Sequence, residues 1–526
     1  MMPACRRRLA ALSAVAGLTL ALSAMPAWAR HATPSHHASC AKHAHQHRAG
    51  RRRVLCRGRH AHRYGVRMIW TRLATPWHQS PSPAAPQSPA TSPGSFAAPA
   101  PLPAPPSCTI FVSSAGGGSG GSVGSPVSLS QALSMVVPGS VVCLEAGTYN
   151  EGSNVWVSRS GTPSAPITYR SYGGTALLQY TGGASGAQYM SGGLLETSSG
   201  SNWGGTHDVV FDGLTIDGAN QIGIGIAVIQ GSHNITIRNC VVRNTGATGI
   251  ALNATDYVTV VHNMVYHTGY NQGWSSGISL WNGGPDATYG GSSAWYDTNP
   301  GFHNVIADNI VSGAYDNSSN HTDGNGIIVD GSGSIPPVLI ANNLVYENGG
   351  RGIEVAYNSG AAWVINNTAY ADGLDLKVGG GQAPDYGAYQ ATNVHFINNL
   401  AYGRQNGSTY TSAYTYVQRR ATTKLAGNVG FNGTPEGVAE APDAYRYANP
   451  QFTDLPQIST SAAPWSQAPP PWAVGRYFSL KAGSPALRGG VRADTVAGMN
   501  PSLASGVRQF VGASPNGQAR IGAKMG

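Results

Sequence analysis

The chain has 526 residues, of which 70 are glycine and only 10% are charged. Such a composition argues against long charged helices and for β structure with many turns. The formal net charge of +9 belongs to one end. Residues 1–144 hold 14 Lys and Arg and no acid, whereas residues 145–526 hold 18 basic against 23 acidic residues, a net of −5. The overall charge therefore gives no reason to expect a nucleic-acid partner.

Residues 1–29 read as a secretory signal. Arg6, Arg7 and Arg8 precede an apolar run from Leu9 to Ala24, and Ala27–Trp28–Ala29 has the small-x-small form of a cleavage site. The run is short for a membrane span. No integral membrane segment is expected after the signal is removed, so the mature protein is expected to be secreted, periplasmic or at the cell surface. Residues 30–75 form a His/Arg-rich basic tail that cannot build a core and is expected to be disordered. Its charge suits an anionic cell surface. Residues 76–107 are a Pro/Ala/Ser-rich linker of semi-stiff character.

The folded domain is expected over 108–492, with a C-terminal tail at 493–526. Cys108 and Cys143 flank its start and can pair, as can Cys40 with Cys56 in the tail. Cys240 is then left as a buried thiol in an apolar strand. "TIFVSSAGG" predicts a strand and turn. "SLSQALSMVVPGSVVCLEAGTY" predicts a short amphipathic helix, a Pro-Gly turn and a strand. From there a repeat takes over. An alternating apolar strand, an Asn, a second short strand, a turn, and Gly-Ile or Gly-Leu opening a third strand recur five times. Asn239, Asn263, Asn309, Asn343, Asn367 and Asn399 mark the repeat. Three short strands and three turns per coil, stacked so that each coil bonds the next, make a parallel β-helix. The asparagines at one turn can form a ladder.

The repeat units, the opening "APITYRSYGG" and the closing "NPQFTD" with "YFSLKAGSPAL" resemble the pectate lyase-like superfamily, with a layout similar to family 9 polysaccharide lyases. The resemblance implies an all-β, right-handed parallel β-helix. It also implies that the strands opening Gly-Ile line an active-site groove. Alternation in "GIAL", "GISLW", "GIIVD", "GIEVA" and "GLDLK" sends the second and fourth residues inward and the third and fifth outward. The outward face then carries Trp281, Asp330, Glu354, Asp375 and Lys377. Glu354 and Asp375 are expected on adjacent coils. Expanded turns bring Asp316, His321 and Asp323 to one edge, and Tyr289, Trp295 and Tyr296 to another. Arg351 lies just before Glu354.

Polysaccharide lyases of this layout use Ca2+ held by acidic residues and a Lys or Arg base. The resemblance thus implies Asp323, Asp330, Glu354 and Asp375 as calcium ligands, Lys377 as base and Arg351 as a clamp on the substrate carboxylate. Trp281, Trp295, Tyr296 and His321 would bind sugar. The expected partner is an acidic polysaccharide, cleaved by Ca2+-assisted β-elimination, and the protein is expected to be a monomer. Two other readings stay open: a glycoside hydrolase using Glu354 with Asp375, and a surface carbohydrate-binding or matrix protein without catalysis.

Overall fold

A computed structural model describes residues 107–511 and residue 522, apart from internal segments 184–191, 198–204, 272, 284–298, 332–334, 359, 376, 379–382, 407–408, 411–412, 418–422, 434–444 and 457–476. The signal, basic tail and linker, with Cys40 and Cys56, therefore lie outside the described residues.

Two large sheets dominate. One has nine strands and is parallel throughout, from Val155–Val157 at one end to Tyr414–Val417 at the other. The other has twenty strands and collects the two remaining strands of each coil. A representative coil runs His233–Arg238, Val241–Arg243 and Ile250–Asn253. The expected parallel β-helix of three strands per coil is what the chain forms.

Local sequence explains the stacking. Ile250, Leu252, Ile278, Leu280, Ile327, Val329, Ile353 and Val355 are all wholly buried, as their alternation requires. The glycine before each of these strands has a steric reason. A Cβ on Gly249, Gly277 or Gly326 would lie 2.7 Å from the carbonyl oxygen of the next glycine in the column, so only glycine lets the coils approach. Inside, the asparagine ladder runs from Asn263 through Asn309, Asn343, Asn367 and Asn399 to Asn428. Each Oδ1 accepts the backbone and side-chain N–H groups of the asparagine before it, at 2.9–3.1 Å. Asn239 is not part of it. It stands one residue early in a left-handed conformation, φ 55°, and bonds Asp212 instead. The buried free thiol Cys240 occupies the first rung, where its N–H donates to Asn263.

The segments before and after the repeats are tied to the β-helix. Cys108 and Cys143 form a disulfide, and the short helix Leu129–Met135 is capped by Ser128. The segment after Arg492, expected as a tail, folds back. The helix Pro501–Phe510 packs Leu503 and Val507 against Val305, Leu339, Trp363 and Ile365 on the outside of the larger sheet. Phe452, Phe478 and Ala486 cover another stretch of it, over Leu344, Tyr346 and Tyr370.

One expected strand is absent. The strand after Ile353–Ala356 in the nine-stranded sheet is Tyr386–Tyr389, with Glu354 opposite Gly387 and Ala356 opposite Tyr389. Gly373, Leu374, Asp375 and Lys377 lie in an excursion between coils. The reason is a second ladder at the turn. The Asn348 backbone and side-chain N–H groups donate to Asp372 Oδ1, and the Asp372 N–H to Asp385 Oδ1. Asp385, rather than Asp372, therefore sets where the next strand begins. Residues 373–375 bond back to the carbonyls of Gly350, Asn348 and Gly349, with Gly373 at φ 76°.

Candidate active site

The outward side of the nine-stranded sheet carries two columns. One reads Ala251, Ser279, Ile328, Glu354 and Gly387; the other has Asn253, Trp281 and Asp330 in register. Rungs of a parallel sheet are about 4.8 Å apart, so Trp281 and Asp330 are immediate neighbours. Asp375 is not on this sheet. The expected Glu354–Asp375 pair of adjacent strands is thus replaced by Glu354 beside Gly387, and the paired-carboxylate hydrolase loses its geometric premise.

The expanded turn before Ile327 is pinned from within. Asp316, fully buried, accepts from the backbone N–H groups of Ser318, Thr322 and Asp323 and from the Ser318 hydroxyl. Asp316 thus shapes the loop rather than facing the groove. The shaped loop sets His321, Thr322 and Asp323 in a row along the start of the Ile327–Asp330 and Ile353–Ala356 strands.

At one end of that row stands a group of acids. Asp323 Oδ1 accepts from Asn325 Nδ2 at 3.2 Å, and Asn325 Oδ1 accepts the Arg351 N–H at 2.8 Å. Arg351 Nε lies 3.2 Å from Glu354 Oε1, and a terminal nitrogen of Arg351 donates to the Thr322 carbonyl. Burial, then the charge of Glu354 and lesser contributions from Asp316 and Asp330, push the Asp323 carboxyl up to about 8. Burial and Glu354 push Asp330 up to about 7. Glu354 is raised by burial too, with Arg351 and Asn325 opposing. Burial is the largest cause in all three; the charge of Glu354 adds to it at both aspartates, and that of Asp330 at Asp323.

At the other end, His321 Nδ1 lies 2.9 Å from Asp375 Oδ2, and His321 Nε2 lies 3.2 Å from Lys377 Nζ. The Lys377 N–H donates to Asp375 Oδ1 at 2.9 Å. Asp375 is buried and both its oxygens are engaged, which removes it from the set of acids around Glu354. The structure therefore brings Lys377, Asp375 and His321 together, though through a loop rather than a strand.

Trp295, Tyr296 and Tyr289 lie outside the described residues. Two aromatic residues that the sequence reading passed over stand nearby. Tyr357 directly follows the Ile353–Ala356 strand, is exposed, and meets Tyr389 edge-on at 5.2 Å. Its hydroxyl feels the charges of Asp330 and Glu354. The signal was present in "GIEVAY", one position past the alternation followed. Asn325, which joins Asp323 to Arg351, was missed because an amide between two acids carries no charge signal.

The donor set Asp323, Asp330 and Glu354 is all oxygen, the chemistry of a hard cation such as Ca2+. Its mutual repulsion is what a cation would relieve. Among the described residues no three or more His, Cys, Asp or Glu side chains converge on one metal position, so the fit is one of charge and ligand type.

Comparison with known proteins agrees with the fold. Residues 110–393 match the family described as Pel9A-like, right handed beta helix region. Pectate lyase L of Dickeya dadantii (strain 3937) is 27% identical over 301 residues, 52% of this chain and 67% of that protein. Pectate lyase L of Dickeya chrysanthemi is 26% identical over the same shares. The crystal structure of pectate lyase Pel9A superposes with a TM-score of 0.44 at 19% identity, covering 75% of this chain and 94% of that one, a likeness too loose to bear on function. With more than half of its length matched, the chain belongs to the Pel9A-like right-handed β-helix family.

Proposed function

We propose that this protein is a secreted, polysaccharide-active β-helix enzyme, a lyase that cleaves a uronic-acid polymer by β-elimination. The observation that supports the reading is the loop His321–Thr322–Asp323, whose His321 contacts Lys377 and whose Asp323 stands in the acid group with Asp330 and Glu354. β-Elimination needs the C5 proton removed and the adjacent carboxylate neutralised.

In this reading Lys377, exposed at the groove rim, takes the C5 proton on Nζ. Asp323, Asp330 and Glu354 are the residues that would hold Ca2+. When bound, Ca2+ neutralises the substrate carboxylate and acidifies the C5 proton. Arg351 already engages Glu354 and the Thr322 carbonyl. It acts mainly as a bracket that keeps Glu354 ionised and the loop in place. It offers a substrate carboxylate at most its remaining terminal nitrogen. Trp281 and Tyr357 flank Asp330 and give apolar faces for sugar rings.

The test is a screen of the purified protein on pectate, alginate and other uronate polymers, with and without Ca2+, read by ultraviolet absorbance. A lyase leaves an unsaturated, absorbing product. New reducing ends without absorbance would instead mark a hydrolase. Binding without either would leave a carbohydrate-binding protein.

A further inference from the structure

His321 was expected to hydrogen-bond sugar, but both its ring nitrogens are engaged, Nδ1 by Asp375 and Nε2 by Lys377. The donor count decides the tautomer. The Asp375 carboxylate is an acceptor, so the ring proton sits on Nδ1. In the neutral ring Nε2 then keeps its lone pair, and Lys377 Nζ donates the 3.2 Å hydrogen bond to it.

Two restraints hold this arrangement, against a backbone cost at His321. Asp316 pins the loop that carries His321. Asp375 is tied by its own N–H to the Gly349 carbonyl and by Oδ1 to the Lys377 N–H. His321 itself sits at φ 46°, a left-handed conformation that costs a non-glycine residue on the order of 1 kcal/mol. Strain at a partly buried imidazole persists only where its surroundings over-determine it. Here the strained backbone aims the ring between Asp375 and Lys377.

We propose that His321 is a positioning residue for Lys377: with its tautomer set by Asp375, it takes one N–H of the lysine and so limits the directions in which the nitrogen lone pair faces the groove. The proposal rests on the reading of Lys377 as the base. An amine free to rotate about its last carbon–nitrogen bond presents its lone pair to the substrate only part of the time. One hydrogen bond to Nε2 confines the lone pair to the two remaining staggered positions.

Three variants test it, each checked for an unchanged thermal melt. His321→Ala should lower kcat by about 10- to 100-fold, the scale of a misplaced reacting group, with KM within about twofold. His321→Gln keeps an oxygen acceptor near the Nε2 position and should recover at least about threefold of that loss. Asp375→Asn should behave like His321→Ala despite its matched shape. If the amide oxygen keeps the Lys377 backbone N–H, the NH2 meets Nδ1 and drives the ring proton to Nε2, which then no longer accepts from Nζ; turned over, the amide leaves the Lys377 backbone N–H without its acceptor.

A second measurement needs no turnover. The chain has only five lysines, Lys42, Lys377, Lys424, Lys481 and Lys524. Competitive acylation with an amine-directed reagent, read by peptide mass spectrometry, can therefore follow Lys377 against exposed Lys481. The Lys377 to Lys481 ratio should rise at least about threefold in His321→Ala, where the amine is released, and stay within about twofold of wild type in His321→Gln. An unchanged ratio in His321→Ala, or a raised KM with unchanged kcat, would overturn the positioning role. If Lys377→Ala keeps full activity, the base reading fails. The acylation ratio still decides whether His321 holds the lysine.

Discussion

Adding Ca2+ to the metal-free protein at pH 7 should expel protons. Asp323, pushed up to about 8, is about 0.9 protonated at that pH, and Asp330, pushed up to about 7, about 0.5 protonated. A cation binds the ionised forms, so binding releases up to about 1.4 protons from these two acids, apart from any share that the raised Glu354 adds. That figure is a ceiling, because both side chains keep some contact with water. The direction in pH follows. Both acids have folded pKa values above their unfolded value near 4. Their contribution to the stability of the metal-free fold is therefore complete below about pH 4 and is lost as pH rises through 7 to 8. Ca2+ affinity climbs over that same window as the acids ionise. Calorimetric titration in two buffers of different ionisation enthalpy reads the proton count directly. Glu354→Gln, which removes the leading electrostatic cause of both shifts, should reduce proton release and weaken binding together. Calcium binding with no proton release at pH 7, or release undiminished in Asp323→Asn with Asp330→Asn, would refute the assignment of these acids.

Asn343→Ala should destabilise the fold by about 2–4 kcal/mol in urea melts. It removes the acceptor of Asn309 N and a donor to the Ile306 carbonyl, groups that cost about 1–3 kcal/mol each when left bare, whereas Asn309 Nδ2 keeps the Val260 carbonyl and Asn367 Oδ1 keeps the backbone N–H of residue 343. Asp372→Asn should match wild type near pH 4 and exceed it in melting temperature at pH 9. Burial holds the Asp372 carboxyl, and that of Asp385 below it, far above the usual range, so the wild-type ladder loses stability as pH rises and the amide does not. Tyr357→Ala should raise KM several-fold on the active polymer with little change in melting temperature, since the ring is exposed; an unchanged KM would remove it from the groove.

The repeat was legible because the β-helix writes its core locally. Ile278 and Leu280, or Ile353 and Val355, are inward for the same two-residue alternation that a reader can count. The ladder was legible to within one residue. Asn239 is an asparagine for its left-handed backbone, and Cys240 holds the rung, so residue type alone misled. "GLDLK" alternates as well as any true strand. Which segment pairs with Ile353–Ala356 is decided by the distant rung from Asp372 to Asp385, and no local pattern reports that. Lys377, Asp375 and His321 were nonetheless all placed among the site residues, His321 by its expanded turn and the other two by a strand alternation that the fold does not keep. Their joining into one chain of hydrogen bonds depends on the loop that Asp316 folds, and that is visible only in three dimensions.

The central claim is that Lys377 and the acids Asp323, Asp330 and Glu354 serve one elimination. Its most direct test is the initial rate of ultraviolet-absorbing product from the polymer that proves active, measured for wild type with Ca2+, wild type with chelator, and Lys377→Ala with Ca2+. Absorbing product in the first, with losses of at least about 100-fold in the other two, is the expected result. Product formed by Lys377→Ala at the wild-type rate, or cleavage that leaves no absorbing product, would contradict it.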